Sequence, residues 1–423
     1  MILTLTTIFL ILLLLGTPLF LAIVIPSLIT TIFYYPNINI TVTIQRMIDG
    51  IDSFPLLAIP FFMFAADVMS KGKTGERLVV LANRLVGHLP GGLAMATVVT
   101  CTLFGAISGT GPAAIVAVGG LLYPALLDNK YKDQFSLGVI ISSSTLSMLI
   151  PPGVAMILYS IVSGTSVRDM FLAGTSVGLF VSILFMIYVF IHARRRNIPK
   201  KKRSSFKEVI LAFKDAFWAL GLPIVILGGI YLGYMTPTES AAIAVVYVII
   251  IEVFIYKKLQ FSDVYETAKT SGRMIAMIFI LISAGSLLSW LLTTAQVPQT
   301  LASNLGDLSP ITILLMINII FIVTGMFLDP NSSIIILTPI VYPIAMASGA
   351  DPIHLGLLIV LNASIGMLTP PFGMNIFVAS GTFKVPYERI VPGLVPFIII
   401  SVIALILVTL IPDIALWLPN LVK

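Results

Sequence analysis

Apolar runs of bilayer-crossing length recur from residue 2 to residue 412, separated by short gaps that are polar or marked by proline and glycine. A helical span needs roughly 20 mostly apolar residues. The runs form two sets of six, the first at roughly 2–15, 18–35, 54–70, 92–126, 134–163 and 172–191. The second lies at roughly 217–234, 238–256, 273–292, 311–347, 355–382 and 391–412. The pattern predicts an all-α polytopic membrane protein whose first element is short for a full crossing.

The two sets are copies of one plan. At an offset of 219 residues, Thr17-Pro18 meets Thr236-Pro237, Tyr123-Pro124 meets Tyr342-Pro343, Pro151-Pro152 meets Pro370-Pro371, and Gly174 meets Gly393. Internal repeats of this size are a recurring plan in secondary transporters. The expected domains are a first repeat over 1–191, a basic linker over 192–216 and a second repeat over 217–423.

The fourth run of each set is interrupted at its centre, by Ser108-Gly109-Thr110-Gly111-Pro112 and by Asp329-Pro330-Asn331-Ser332-Ser333. These runs, about 92–126 and 311–347, are expected to be re-entrant helical hairpins. The fifth runs, about 134–163 and 355–382, carry Ile150-Pro151-Pro152-Gly153 and Thr369-Pro370-Pro371-Phe372-Gly373 and are expected to be discontinuous helices. A hairpin that returns to its own side gives each half five crossings, so the halves have opposite orientation.

Charge placement supports that inversion. Nine of the 24 Lys and Arg fall between Arg194 and Lys214, as expected for a cytoplasmic loop. With this block inside, 21 of the 24 fall on the inner side, leaving Arg46, Arg168 and Lys423 outside. The expected topology is ten crossings with both termini outside. The net charge of +6 is thereby explained without nucleic acid, since the basic loop has no aromatic interleaving and no second basic face. Composition agrees: 58% of residues are hydrophobic and 10% charged, so a soluble fold could not hide the apolar surface. A cleaved leader over Met1 to Leu15 is disfavoured by the lack of a basic start. Cys101 excludes a disulfide framework, and the scattered His88, His192 and His354 do not suit a metal or acid–base centre.

Backbone freed from helical hydrogen bonds is costly in hydrocarbon unless it is buried in protein or lines a wet cavity. Proline frees a carbonyl one turn back, while Ser, Thr, Asn and Asp add oxygen ligands with little bulk. Paired breaks therefore suit an alkali cation, with helix N-termini free to face a carboxylate. The first ion site is assigned to Ser108, Gly109, Thr110, Ser143, Ser144 and Pro151. Its mirror is assigned to Asp329, Asn331, Asn362, Gly366, Thr369 and Pro370. The plainer reading is close helix packing through small residues, which does not by itself require paired prolines at matched positions. Asp329 has two readings, a direct ion ligand or a cap for the following helix. Glu239 reads as a helix-start residue after Thr236-Pro237-Thr238. No Lys or Arg falls inside the core spans, so a bound cation would supply the positive charge that an anion needs.

Five stretches carry a family resemblance. They are Asp52 to Phe62, Gly105 to Thr110, Ile150-Pro151-Pro152, Thr236 to Glu239, and Gly366 to Asn375. Together they resemble the large membrane (M) subunit of the tripartite ATP-independent periplasmic (TRAP) transporters, over nearly the whole chain. The resemblance implies an elevator-type, sodium-driven importer of organic acid anions in a bacterial inner membrane, using two or more Na+ ions. It also implies two partners: a separate small membrane (Q) subunit and a periplasmic substrate-binding protein (P subunit). C4-dicarboxylates and carboxylated sugars such as sialic acid are the solute classes in view, and no organic cofactor is implied. Thr110 stands where the family more often has serine, which keeps the hydroxyl. Two other classes compete. A membrane-embedded enzyme would need paired acids or histidines at one face. A passive channel would need a continuous polar pore and would carry solute only downhill.

Overall fold

The computed structural model describes residues 1–196, 198, 202–305 and 308–422. Lys200 and Lys201 of the basic block, and Lys423, lie outside the described residues. The described chain is helical throughout, with no strand among the described residues. Nine of its helical segments, again among the described residues, are long and apolar enough to cross a membrane.

The repeat holds element by element. The first hairpin has arms Gly92–Ser108 and Gly111–Asp128; the second has arms Pro310–Gly325 and Pro330–Ala347. The first discontinuous helix comprises Asp133–Ser144, a short turn at Leu146–Leu149, and Val154–Ser163. Its mirror comprises Pro352–Gly366 and Met374–Phe383. Each is followed by a long span, Val167–Arg195 and Tyr387–Leu410. The second hairpin arms start at Gly111 and Pro330, and the discontinuous helices at Asp133 and Pro352, so each pair stands at the offset of 219.

Local chemistry accounts for the boundaries. Gly109 ends the first arm in the left-handed region at φ +60, and Thr110 is extended before Gly111-Pro112 starts the next helix. Proline suits a helix start because its missing N–H would have no partner there. The second hairpin corrects the expected break. The helix resumes at Pro330, so Asn331, Ser332 and Ser333 are helical and the interruption runs from Met326 to Asp329. Asp329 causes this, because its carboxylate accepts the backbone N–H groups of Asn331 and Ser332 and caps the new helix.

Thr236 and Glu239 form the capping box expected at the next helix start. A second capping box, Ser205 with Glu208, begins Phe206–Tyr231, so the helices flanking the basic linker reach Arg195 and restart at Phe206. The first element, Ile2–Leu14, is one of the shorter apolar helices.

The discontinuous helices form the centre of the molecule, buried from Phe135 to Leu158 and from His354 to Leu368. Around them stand the hairpins and the outer helices Ala58–Lys71, Pro237–Ile249 and Phe261–Thr294. The halves interlock at this centre. The Tyr159 hydroxyl donates to the Pro352 carbonyl at 2.7 Å, and the Arg389 guanidinium meets Asp133 at 2.5 Å.

Candidate functional site

Each hairpin tip closes on the break of its own half. At Gly109 a Cβ would stand 2.2 Å from the Pro152 carbonyl oxygen, so only glycine allows this approach. In the second half the approach is backbone to backbone. A Cβ on Gly366 would lie 2.7 Å from Gly325, and the Phe372 N–H donates to the Met326 carbonyl at 3.2 Å. Of the predicted residues, these contacts bring Gly109 to the first break and Gly366 to the first arm of the second hairpin.

Within the first set, the Ser108 hydroxyl reaches the Thr110 carbonyl at 3.4 Å, and the Ser144 hydroxyl donates to Ile141 at 2.6 Å. Ser143 is fully buried, and its hydroxyl has no partner among the described residues. Pro151 lies in the break itself. In the second set, the Thr369 hydroxyl donates to the Ile365 carbonyl at 2.7 Å, with Pro370 next to it. Asn362 is fully buried; its amide nitrogen donates to Asn318 at 2.7 Å and to the Leu358 carbonyl at 2.8 Å, while its Oδ1 has no partner. Ser143 and Asn362 are mirror positions at the offset of 219. A buried oxygen without a hydrogen bond is expensive, and these two stand at equivalent places; the adjacent Ser142 hydroxyl is also unpartnered.

Between the two tips lies a cavity of about 560 Å³. Gly109, Thr110, Asp329 and Asn331 line it, whereas Ser108, Ser143, Ser144, Pro151, Asn362, Gly366, Thr369 and Pro370 are not part of the lining. The helices beginning at Gly111 and Pro330 both start at the cavity wall, which brings two helix N-termini to one space. Free N–H groups at such an end favour an anion; at Pro330 the N–H groups of Asn331 and Ser332 are taken by Asp329, whereas the Gly111 start has no side-chain cap. Oxygen-rich breaks behind a cavity with helix starts at its wall can bind and release ions and a small solute. No group of His, Cys, Asp and Glu among the described residues forms a transition-metal cluster.

Sequence reasoning missed three polar residues here. Asn375 is fully buried in the second half and donates to Ser144 of the first at 3.1 Å, while its Oδ1 is unpartnered. Asn318 links Asn362 to Thr409, donating to the Thr409 hydroxyl at 2.8 Å. Asp67, on Ala58–Lys71, lines the cavity and accepts from the Ser271 hydroxyl at 2.6 Å. Asp67 was open to discovery, because a lone acid within an apolar span calls for a partner.

Comparison with known proteins identifies the family and the fold. Residues 6–414 match the family model described as "Tripartite ATP-independent periplasmic transporter, DctM component". The chain is 40% identical over 414 residues to the ectoine/5-hydroxyectoine TRAP transporter large permease protein UehC of Ruegeria pomeroyi, covering 97% of each chain. It is 39% identical over 377 residues to the C4-dicarboxylate TRAP transporter large permease protein DctM of Pseudomonas aeruginosa, covering 89% of this chain and 88% of that one. The fold is similar to that of the Alcanivorax borkumensis YdaH transporter, with a TM-score of 0.66 at 12% identity over 88% of this chain and 87% of that one. The chain belongs to the TRAP transporter family as its DctM component, a large permease subunit of the bacterial inner membrane and not an enzyme.

Proposed function

We propose that this permease couples the sodium gradient to uptake of a small carboxylated organic solute. The observation that carries the reading is the mirror pair of buried, unpartnered oxygens, Ser143 Oγ and Asn362 Oδ1, each beside a broken helix. A sodium ion at each would satisfy them with hydroxyl, amide and freed carbonyl oxygens. One ion uses the set around Ser108, Gly109, Thr110, Ser143, Ser144 and Pro151. The other uses Asn362, Gly366, Thr369 and Pro370, with Asp329 and Asn331 between the ion and the cavity.

The solute carboxylate faces the uncapped helix start at Gly111, and the nearby cations offset its charge. C4-dicarboxylates, the ectoine named for a relative, and carboxylated sugars such as sialic acid all present such a group. Solute is delivered by a periplasmic binding protein, and a separate small membrane subunit completes the assembly. Alternating access follows an elevator scheme in which the hairpins and discontinuous helices move as one body against the outer helices. The division into repeats at 1–191 and 217–423, joined by the 192–216 linker, belongs to the same proposal.

The test is uptake in proteoliposomes holding the full transporter, with ectoine and succinate as solutes. Asp329→Asn combined with Thr369→Ala should abolish sodium dependence while the protein remains inserted. Asn keeps an oxygen that can cap the helix, so loss of the cap would not explain the result. Sodium-coupled uptake that both substitutions leave untouched removes the ion-site assignment.

A further inference from the structure

We infer that the cavity selects a zwitterion, a small carboxylate that also carries a delocalised or alkylated cation, and that Asp67 receives its positive end. The inference rests on the cavity being the solute site and deepens that reading. The charged residues among those lining the cavity are Asp67 and Asp329; Lys, Arg and His are not represented there. Sodium at the two tips would offset a carboxylate, but it leaves the acid of Asp67 without a positive partner in the lining.

The two acids are not alike. Asp329 is committed to its own helix, with Oδ1 accepting two backbone N–H groups and Oδ2 accepting the Ser332 hydroxyl. Asp67 accepts from Ser271 through Oδ2, and no donor among the described residues reaches Oδ1. Lys71, one turn further along the same helix, donates to the Thr267 hydroxyl at 3.0 Å and lies outside the lining. Asp67 thus keeps an open oxygen at a wall otherwise short of charge. An acid in a membrane-spanning helix is retained for a partner or a transported group.

The remaining wall indicates which kind of cation fits. Met63, Met148, Met274, Met277, Met367 and Met374 all face the cavity. Thioethers are polarizable, adaptable and poor at replacing water around a compact ammonium, but they accommodate methyl, methylene and planar delocalised groups. The solute therefore lies with its carboxylate toward the uncapped helix start at Gly111, its cation toward Asp67, and its hydrocarbon against methionine.

The experiment uses the full transporter in proteoliposomes, comparing ectoine, a carboxylate bearing an amidinium, with the dianion succinate. Ectoine should be carried at least tenfold more efficiently than succinate. Asp67→Asn, which keeps an acceptor for Ser271, should raise the KM for ectoine about tenfold or more with a smaller change in kcat. Asp67→Glu should recover part of the loss, and inserted protein should match in all three. Preference for succinate, an ectoine KM indifferent to Asp67→Asn, or carriage of neither solute would overturn the proposal. Ectoine uptake that ignores sodium but still depends on Asp67 would refute the coupling and support the charge preference.

Discussion

Gly109 is where a single atom decides whether the first hairpin can meet its broken helix. Its φ of +60 costs an L-residue about 1–2 kcal/mol, and an added Cβ would press on the Pro152 carbonyl oxygen. Gly109→Ala should therefore leave an inserted protein with a displaced tip. Uptake should fall at least tenfold, and sodium should lose most of its effect on thermal stability in detergent. Wild-type sodium stabilisation in this variant would show that the tip does not shape the ion site. At this scale the sequence was informative about residue type and less so about role. Ser, Gly, Asn and Pro at the breaks announced an oxygen-rich site. The commitment of Asp329 to a helix start, and the open oxygen of Asp67, depend on which neighbours the fold brings near.

Helical elements show the same division between what composition reveals and what packing decides. Apolar runs located the hairpins and broken helices closely, because burial in hydrocarbon or protein leaves a strong signal. Ile40–Asp49 and Thr74–Val86 went unpredicted, because amphipathic helices of mixed composition do not form an apolar run. Thr74–Val86 is fixed by a long-range contact that sequence order hides. Glu252 is fully buried beside Gly72, accepts the Thr74 hydroxyl at 2.6 Å and the Lys73 N–H at 3.0 Å, and so anchors the start of that helix. Glu252→Ala strands both donors, at a cost of about 1–3 kcal/mol for each group left unsatisfied. Glu252→Gln keeps an acceptor oxygen and should cost less. Melting temperatures in detergent should fall in the order wild type, Gln, Ala; equal values for all three would mean that the carboxylate does not hold this joint.

At the scale of the whole molecule, a repeat offset visible in a few proline and glycine pairs extends to complete helices, including the two tip-and-break pairs and the buried oxygens of Ser143 and Asn362. Two related arrangements in one chain suit alternating access only if they face opposite sides, and the sidedness rests on where the basic residues fall. Lys130 follows the first hairpin, and Asp351 lies in the mirror loop just before the second discontinuous helix. Inverted halves put these two loops on opposite faces, with Lys130 inside and Asp351 outside. Single cysteines at Lys130, Asp351 and Arg46, in a Cys101→Ala background, can be read with a membrane-impermeant maleimide on intact cells and on inverted vesicles. Arg46 and Asp351 should react from the periplasmic side and Lys130 from the cytoplasmic side. Labelling of Lys130 and Asp351 from one face would make the halves parallel. The two proposed sodium sites would then face the same way, and the proposed elevator scheme would lose the symmetry on which it depends.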